Sequence, residues 1–95
     1  MIYDELISLF GNVLSELLNK PPIACKGLFR FAIKDYEQKN NLDSGDFLKY
    51  KDFERIISEN IRLRLEVINF ENIDMIISTM LAELIKYQSI FTFLA

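Results

Sequence analysis

Two stretches of the chain, near its start and near its end, place apolar residues three or four positions apart. In the first stretch these residues are Tyr3, Leu6, Ile7, Phe10, Val13, Leu14, Leu17 and Leu18. In the second they are Ile73, Ile76, Ile77, Met80, Leu81, Leu84 and Ile85. Such spacing gathers the apolar side chains on one face of an α-helix. It predicts a first helix over residues 3–18 and a fourth helix from residue 73, each with one face toward a core.

The segment after the Pro-Pro pair has a different pattern, because a helix formed by it would have few polar residues on any face. Eight of the eleven residues from Ile23 to Ile33 are hydrophobic. The charged residues Lys26, Arg30 and Lys34 follow one another at intervals of four, which places them in one line along a helix. Proline is tolerated in the first turn of a helix, so a second helix can begin at about residue 22. We interpret residues 22–38 as a central helix that is packed on most sides and exposes one basic line.

A polar segment, residues 39–46 (KNNLDSGD), predicts a loop because Asn, Asp, Ser and Gly favour turns. A third helix is predicted to begin between Asp46 and Tyr50 and to run to about residue 68. Its apolar positions are Phe53, Ile56, Ile57, Ile61, Leu65 and Ile68. Residues 61–67 also alternate between apolar and charged, which suits a half-buried strand. The helix is preferred, because the apolar spacing extends back to Phe53 without a turn signal.

These elements predict an all-α fold, with residues 1–95 forming a single compact four-helix domain. The four helices pack around the central hydrophobic second helix, and a short apolar tail follows the fourth. Gly11 lies inside the first helix, where glycine costs about 1 kcal/mol relative to alanine. Its presence there indicates a close approach by another helix.

The hydrophobic content is high for such a short chain, at 51%, with eight Phe and four Tyr among 95 residues. A domain of this size buries only about 60–65% of the surface that its unfolded chain exposes. We therefore expect some apolar surface to be covered by another molecule, either a second copy in a homodimer or another protein. The predicted interface is the fourth helix with the tail, and its anchors are Ile90, Phe91, Phe93, Leu94, Met80 and Tyr87.

The net charge of −3 gives no overall electrostatic attraction to nucleic acid or to an anionic membrane. No uncharged run reaches the roughly 18 apolar residues that a membrane span needs. The order of a helix, a short turn, a second helix and a β-prone tail over residues 89–93 nevertheless has some resemblance to a winged helix. A winged-helix-like DNA-binding regulator is therefore the alternative function. It is less favoured, because the would-be recognition helix has Asp74 and Glu83 against a single Lys86.

Histidine is absent, which removes the commonest general base and the commonest metal ligand. The carboxylates fall mainly at helix starts and in loops, where they serve capping, and no nucleotide-binding or catalytic motif occurs. We expect no enzyme activity, no cofactor and no metal. The single cysteine, Cys25, is either an activated thiol near a helix N-terminus beside Lys26 or a small buried apolar group. One cysteine cannot form an internal disulfide, which favours a reducing, cytoplasmic location.

The basic line of Lys26, Arg30 and Lys34 has two interpretations. These cations can bind an anionic group or an acidic partner helix. They can equally form a solvated stripe that carboxylates on the first or fourth helix neutralise. The sequence as a whole predicts a non-enzymatic protein–protein interaction or regulatory module that self-associates.

Overall fold

The computed structural model describes residues 2–43, 48–89 and 91, with side chains described from residue 4 onward. These residues form four helices and no strand, which confirms the all-α, four-helix prediction. The helices are α1 (Ile2–Leu18), α2 (Pro22–Lys39), α3 (residues 50–67) and α4 (Ile73–Ile85). Their Cα radius of gyration is 12.6 Å, close to the roughly 13 Å expected for a compact domain of about 100 residues.

Helix α3 changes its winding in the middle. It consists of an α-helical segment Tyr50–Arg55, a π-helical segment Ile56–Ile61 and a second α-helical segment Arg62–Val67. Residues 61–67 are therefore helical, as preferred over the strand alternative. Of the predicted loop that precedes α3, positions 44–46 lie outside the described residues.

The π-helical segment is the most deeply buried part of α3. Ile56, Ile57 and Ile61 have no exposed surface, and the segment packs against both α2 and α4. Asn60 is buried with them, and its side-chain oxygen has no hydrogen-bond partner among the described residues. An unpaired buried acceptor is unfavourable, so Asn60 reduces the stability of this otherwise apolar region.

Three phenylalanine rings form a row through the core, one from each of the first three helices. Phe10 stacks on Phe29 with 5.4 Å between ring centroids, and Phe29 stacks on Phe53 at 6.4 Å. Phe91, beyond α4, extends the row with a tilted contact to Phe53 at 5.4 Å. Stacked aromatic pairs contribute about 0.5–1.5 kcal/mol each beyond the burial of their area.

Helix α2 has one buried face and one exposed face. Its buried residues include Phe29, Ala32 and Tyr36, which face α1 and α3. On the opposite side, Ile23 is 83% exposed and Phe31 is 54% exposed. The other helices therefore cover one side of α2, so packing on most sides does not explain its apolar composition.

Asparagine residues with left-handed backbone conformation lie at the turns between the helices. Asn19, Asn41, Asn69 and Asn72 have φ between 54° and 58°, in the left-handed region. Asparagine tolerates this conformation better than most residues do, because its short side chain bonds locally to the backbone. This explains how a chain with only three glycines turns sharply between its helices.

Helices α1 and α2 cross closely at Gly11. A Cβ atom built on Gly11 would overlap the Cγ of Lys26, and it would lie 3.3 Å from the Lys26 Cα and backbone N. This confirms the close approach predicted from the sequence. Gly27 is different, because a Cβ there would meet no atom within 4 Å.

The two helical glycines should respond to alanine in opposite directions. Gly27→Ala should raise the free energy of unfolding by about 0.5–1 kcal/mol, since alanine restricts the unfolded chain and meets no neighbour. Gly11→Ala should lower it, because the added methyl group displaces Lys26 at the crossing. Urea denaturation of both variants measures the effect, and equal shifts of the same sign would contradict the close crossing.

Candidate functional site

The residues predicted to anchor an interface on the fourth helix and tail do not form one exposed surface. Met80 is fully buried and Phe91 is 6% exposed, while Tyr87 is partly buried. Ile90, Phe93 and Leu94 lie outside the described residues. Met80 and Phe91 are therefore core side chains of the folded domain, and the interface predicted on the fourth helix and tail stays a prediction.

Phe91 is buried because two aromatic residues of α3 pack against it. Phe91 packs edge-on against Tyr50, with 5.8 Å between centroids, in addition to its contact with Phe53. The apolar character of this position is thus satisfied within the chain. The burial of Phe91 joins the residues after α4 to the start of α3.

The basic line of α2 is exposed over most of its length. Arg30 and Lys34 are exposed and Lys26 is partly buried against α1. Among the side chains that the structure describes, none of the three has a carboxylate within 4 Å. The predicted neutralisation by carboxylates of the first or fourth helix is therefore not found in this part of the chain.

The exposed large apolar residues concentrate on α2 and on the end of α3. Phe31 is joined there by Leu63 (56% exposed), Val67 (80%) and Ile68 (55%). We call the surface formed by Leu28, Phe31, Leu63, Val67 and Ile68 the α2–α3 face. All of its members except Phe31 line an open groove of about 430 Å³, together with Asp35 and Arg64.

An ion pair fixes the geometry of this face. The Arg64 guanidinium donates two hydrogen bonds to the Asp35 carboxylate, at 2.8 and 3.1 Å. The same guanidinium lies 5.1 Å from the centre of the Phe31 ring, and the Lys34 ammonium lies 5.9 Å from it. The pair joins α2 to α3, and the two cations hold Phe31 in place at the surface.

Sequence reasoning missed the α2–α3 face, although its signal was present. The nearly continuous apolar run from Ile23 to Ile33 indicated that α2 has too few polar residues for a surface helix. That excess was assigned to burial inside the domain. The structure instead places part of it on the surface, beside apolar residues of α3 that are distant in sequence.

Cys25 is a buried residue of α2. Its side chain is almost inaccessible, and burial raises the pKa of its thiol. A raised pKa keeps the thiol protonated at neutral pH, which makes it a poor nucleophile. Of the two sequence interpretations, the environment of Cys25 favours the buried apolar group.

A second polar link joins α2 to the start of α3. The Tyr36 hydroxyl donates a hydrogen bond to Asp52 at 2.5 Å, and Asp52 also accepts one from the Lys49 backbone N–H at 2.6 Å. The Arg55 guanidinium lies 5.6 Å from the Tyr36 ring centre. Burial, followed by the bond to Asp52, raises the pKa of the Tyr36 phenol.

Neither a metal centre nor a membrane span is found in the part of the chain that the structure describes. His, Cys, Asp and Glu side chains form no cluster of three or more there that could hold a metal ion. None of the described helices combines the length and the apolar character needed to cross a bilayer.

The helix that would read DNA in the winged-helix alternative is α4. Its first turn carries Asp74, which pairs with Arg62 at 2.7 Å, and its exposed side carries Met75 and Ile85. Residues 88, 89 and 91 are helical, whereas a β-prone wing was expected there. These features give α4 little of the cationic and polar surface that contacts phosphates and bases.

Compared with protein-family models, curated proteins and solved structures, this chain matches none of them.

Phe91→Ala should lower the free energy of unfolding by about 3–4 kcal/mol, because it removes a buried ring from contact with Phe53 and Tyr50. Thermal or urea denaturation measures this loss. Tyr87→Ala, at a partly buried position four residues earlier, is the control and should cost less. A fully stable Phe91→Ala protein would show that this ring is not part of the core.

The stability of the domain should fall above about pH 10. The raised pKa of Tyr36 means that the folded state holds the phenol proton more tightly than the unfolded state does. This contribution is complete below the unfolded pKa and is lost as the pH rises through the folded pKa. Tyr36→Phe should lower stability at pH 7 by about 1–2 kcal/mol, because it removes the hydrogen bond to Asp52.

Between pH 9 and pH 11, the Tyr36→Phe variant should also lose less stability than the original chain. Urea denaturation at several pH values tests both effects. Tyr50→Phe is a useful comparison, because burial raises the pKa of Tyr50 as well but the phenol makes no comparable bond to Asp52. Equal pH dependence in the Tyr36→Phe variant and the original chain would contradict the assignment.

Proposed function

We propose that this domain is a non-enzymatic protein–protein interaction module, and that the α2–α3 face is its contact surface. The observation that carries the proposal is the clustering of exposed apolar side chains from two helices around one groove. Exposed apolar residues are normal when scattered singly, whereas a contiguous group marks a site that meets another molecule.

The energetic argument follows from the size of these side chains. Phe31, Leu63 and Val67 each leave half or more of their surface in water. Fully burying a side chain of this kind stabilises a complex by about 1.5–3 kcal/mol. Covering the remaining surface of several of them at once supplies a driving force of several kcal/mol for association.

The composition of the face also suits binding. An aromatic ring and an arginine lie beside aliphatic residues, and aromatic residues and arginine are enriched where protein interfaces gain most of their affinity. Phe31 and Arg64 are held on helices rather than on a loop, and the bond to Asp35 limits the movement of Arg64. Little side-chain ordering is then needed when a partner binds.

The chemical groups that line the groove support contact rather than catalysis. They are aliphatic side chains and one Asp35–Arg64 ion pair, in which each charged group already satisfies the other. The buried thiol of Cys25 does not line the groove. A module that regulates or assembles other proteins needs only such a surface and a stable scaffold beneath it.

The double variant Leu63→Ser/Val67→Ser should abolish the complexes that the chain forms in its own cells. The measurement is chemical cross-linking of a tagged chain, co-expressed with a differently tagged copy, followed by identification of the cross-linked species. Both residues are exposed, so the variant should stay folded and lose no more than about 1 kcal/mol of stability.

The matched control is Met75→Ser/Ile85→Ser, which removes two similarly exposed apolar side chains from α4. This control should keep every complex that the original chain forms. If the two double variants give the same cross-linked species as the original chain, the α2–α3 face is not a contact surface.

A further inference from the structure

We infer that the molecule bound on the α2–α3 face is a second copy of this chain, related by a two-fold axis that runs along the groove between α2 and α3. This inference rests on the proposed function and adds the identity of the partner. It is carried by the distribution of charge on the two outer edges of the face.

The edge of the face on α2 is cationic. Arg30 and Lys34 are exposed, and neither has a carboxylate within 4 Å among the described side chains. Arg30 is seven residues after Ile23 and Lys34 eleven, which places all three on one row of the exposed side. Asp35, in contrast, reaches across to α3, so Arg30 and Lys34 lie on the side of α2 that is farther from the groove.

The edge of the face on α3 is acidic. Arg64 reaches α2 through Asp35, whereas Arg62 reaches α4 through Asp74. Because successive helical residues differ by about 100°, Leu63 and Val67 point outward between these two directions. Glu66 lies on the same outward side but away from α2, and it is exposed. The described side chains include no cation within 4 Å of its carboxylate.

The face therefore presents, in order, cations on α2, apolar side chains in the middle and a carboxylate on α3. A two-fold axis along the groove sets α2 of one copy against α3 of the other. Lys34 and Arg30 of each copy then lie opposite Glu66 of the other, while the apolar centres meet. Such a self-complementary surface is what a closed two-fold dimer requires.

Other occupants match only part of this pattern. An acidic amphipathic helix would complement Arg30 and Lys34 but would bring like charge toward Glu66. A two-fold axis perpendicular to the groove would set α2 against α2, so that cations would face cations. The second copy with its axis along the groove is the arrangement that pairs both edges.

Charge exchange between Lys34 and Glu66 tests the inference in the purified protein. Lys34→Glu and Glu66→Lys should each raise the dissociation constant of the dimer on the order of tenfold. Each substitution replaces an attractive pair with a repulsive one, and the two-fold symmetry repeats the change at both edges of the interface. The combined Lys34→Glu/Glu66→Lys variant should restore the dissociation constant to within about threefold of the original. Sedimentation equilibrium over a concentration series measures each constant.

Mixing the two single variants gives a sharper result. A Lys34→Glu chain paired with a Glu66→Lys chain has opposite charges at both edges, so the mixture should dimerise more tightly than either variant does separately. Lys20→Glu and Glu16→Lys are the controls, because they make the same charge changes at exposed positions outside the α2–α3 face. Both controls should leave the dimer unchanged.

The inference is overturned if the original chain stays monomeric throughout the series, or if neither the charge exchange nor Leu63→Ser/Val67→Ser alters its dimer. A monomer in solution whose cellular complexes still depend on Leu63 and Val67 would identify a different partner on the same face. In that case the proposed function as an interaction module is supported, and the inference that the partner is a second copy is wrong. If the cellular complexes are also insensitive to Leu63 and Val67, the proposed function and the inference are both wrong.

Discussion

The stacking of Phe29 between Phe10 and Phe53 is the contact on which the remaining features of this fold depend. It joins three helices through one row of stacked rings, and it fixes which side of α2 faces the core. Residues two positions apart on a helix differ by about 200°, so the burial of Phe29 places Phe31 on the opposite side. The exposure of Phe31 is therefore a direct geometric consequence of the core, and the α2–α3 face is assembled around it.

Much of the fold was predictable, because the helices depend on local patterns of spacing. The observed bounds of α1, α2 and α4 lie within a residue or two of those expected from apolar periodicity and turn residues. The side of α2 that faces the core was not predictable, since both sides are apolar and the choice depends on Phe10 and Phe53. Whether Phe91 packs on the core or on another molecule was not predictable for the same reason, because the local sequence is compatible with both.

The charged side chains organise the surface more than they stabilise it. Arg62 and Arg64 alternate with Leu63, so they extend to opposite sides of α3 and pair with Asp74 and Asp35. Exposed pairs of this kind contribute at most about 1 kcal/mol each. Their main effect is positional: because they pair on opposite sides of α3, Leu63 and Val67 between those directions point outward.

The winding of α3 has a consequence for chain length. A π turn holds about one residue more than an α turn, so everything after it is rotated by about 100° relative to a regular α-helix. Loss of one codon within Ile56–Ile61 would remove this extra residue, and regular α winding would then leave Arg64 facing Asp35 and Val67 facing the solvent. If the winding became regular with every residue retained, all later residues of α3 would instead turn by about 100°, and Arg64 would leave Asp35. The π-helical segment is therefore a place where the chain can be shortened by one residue while its outer surface is kept.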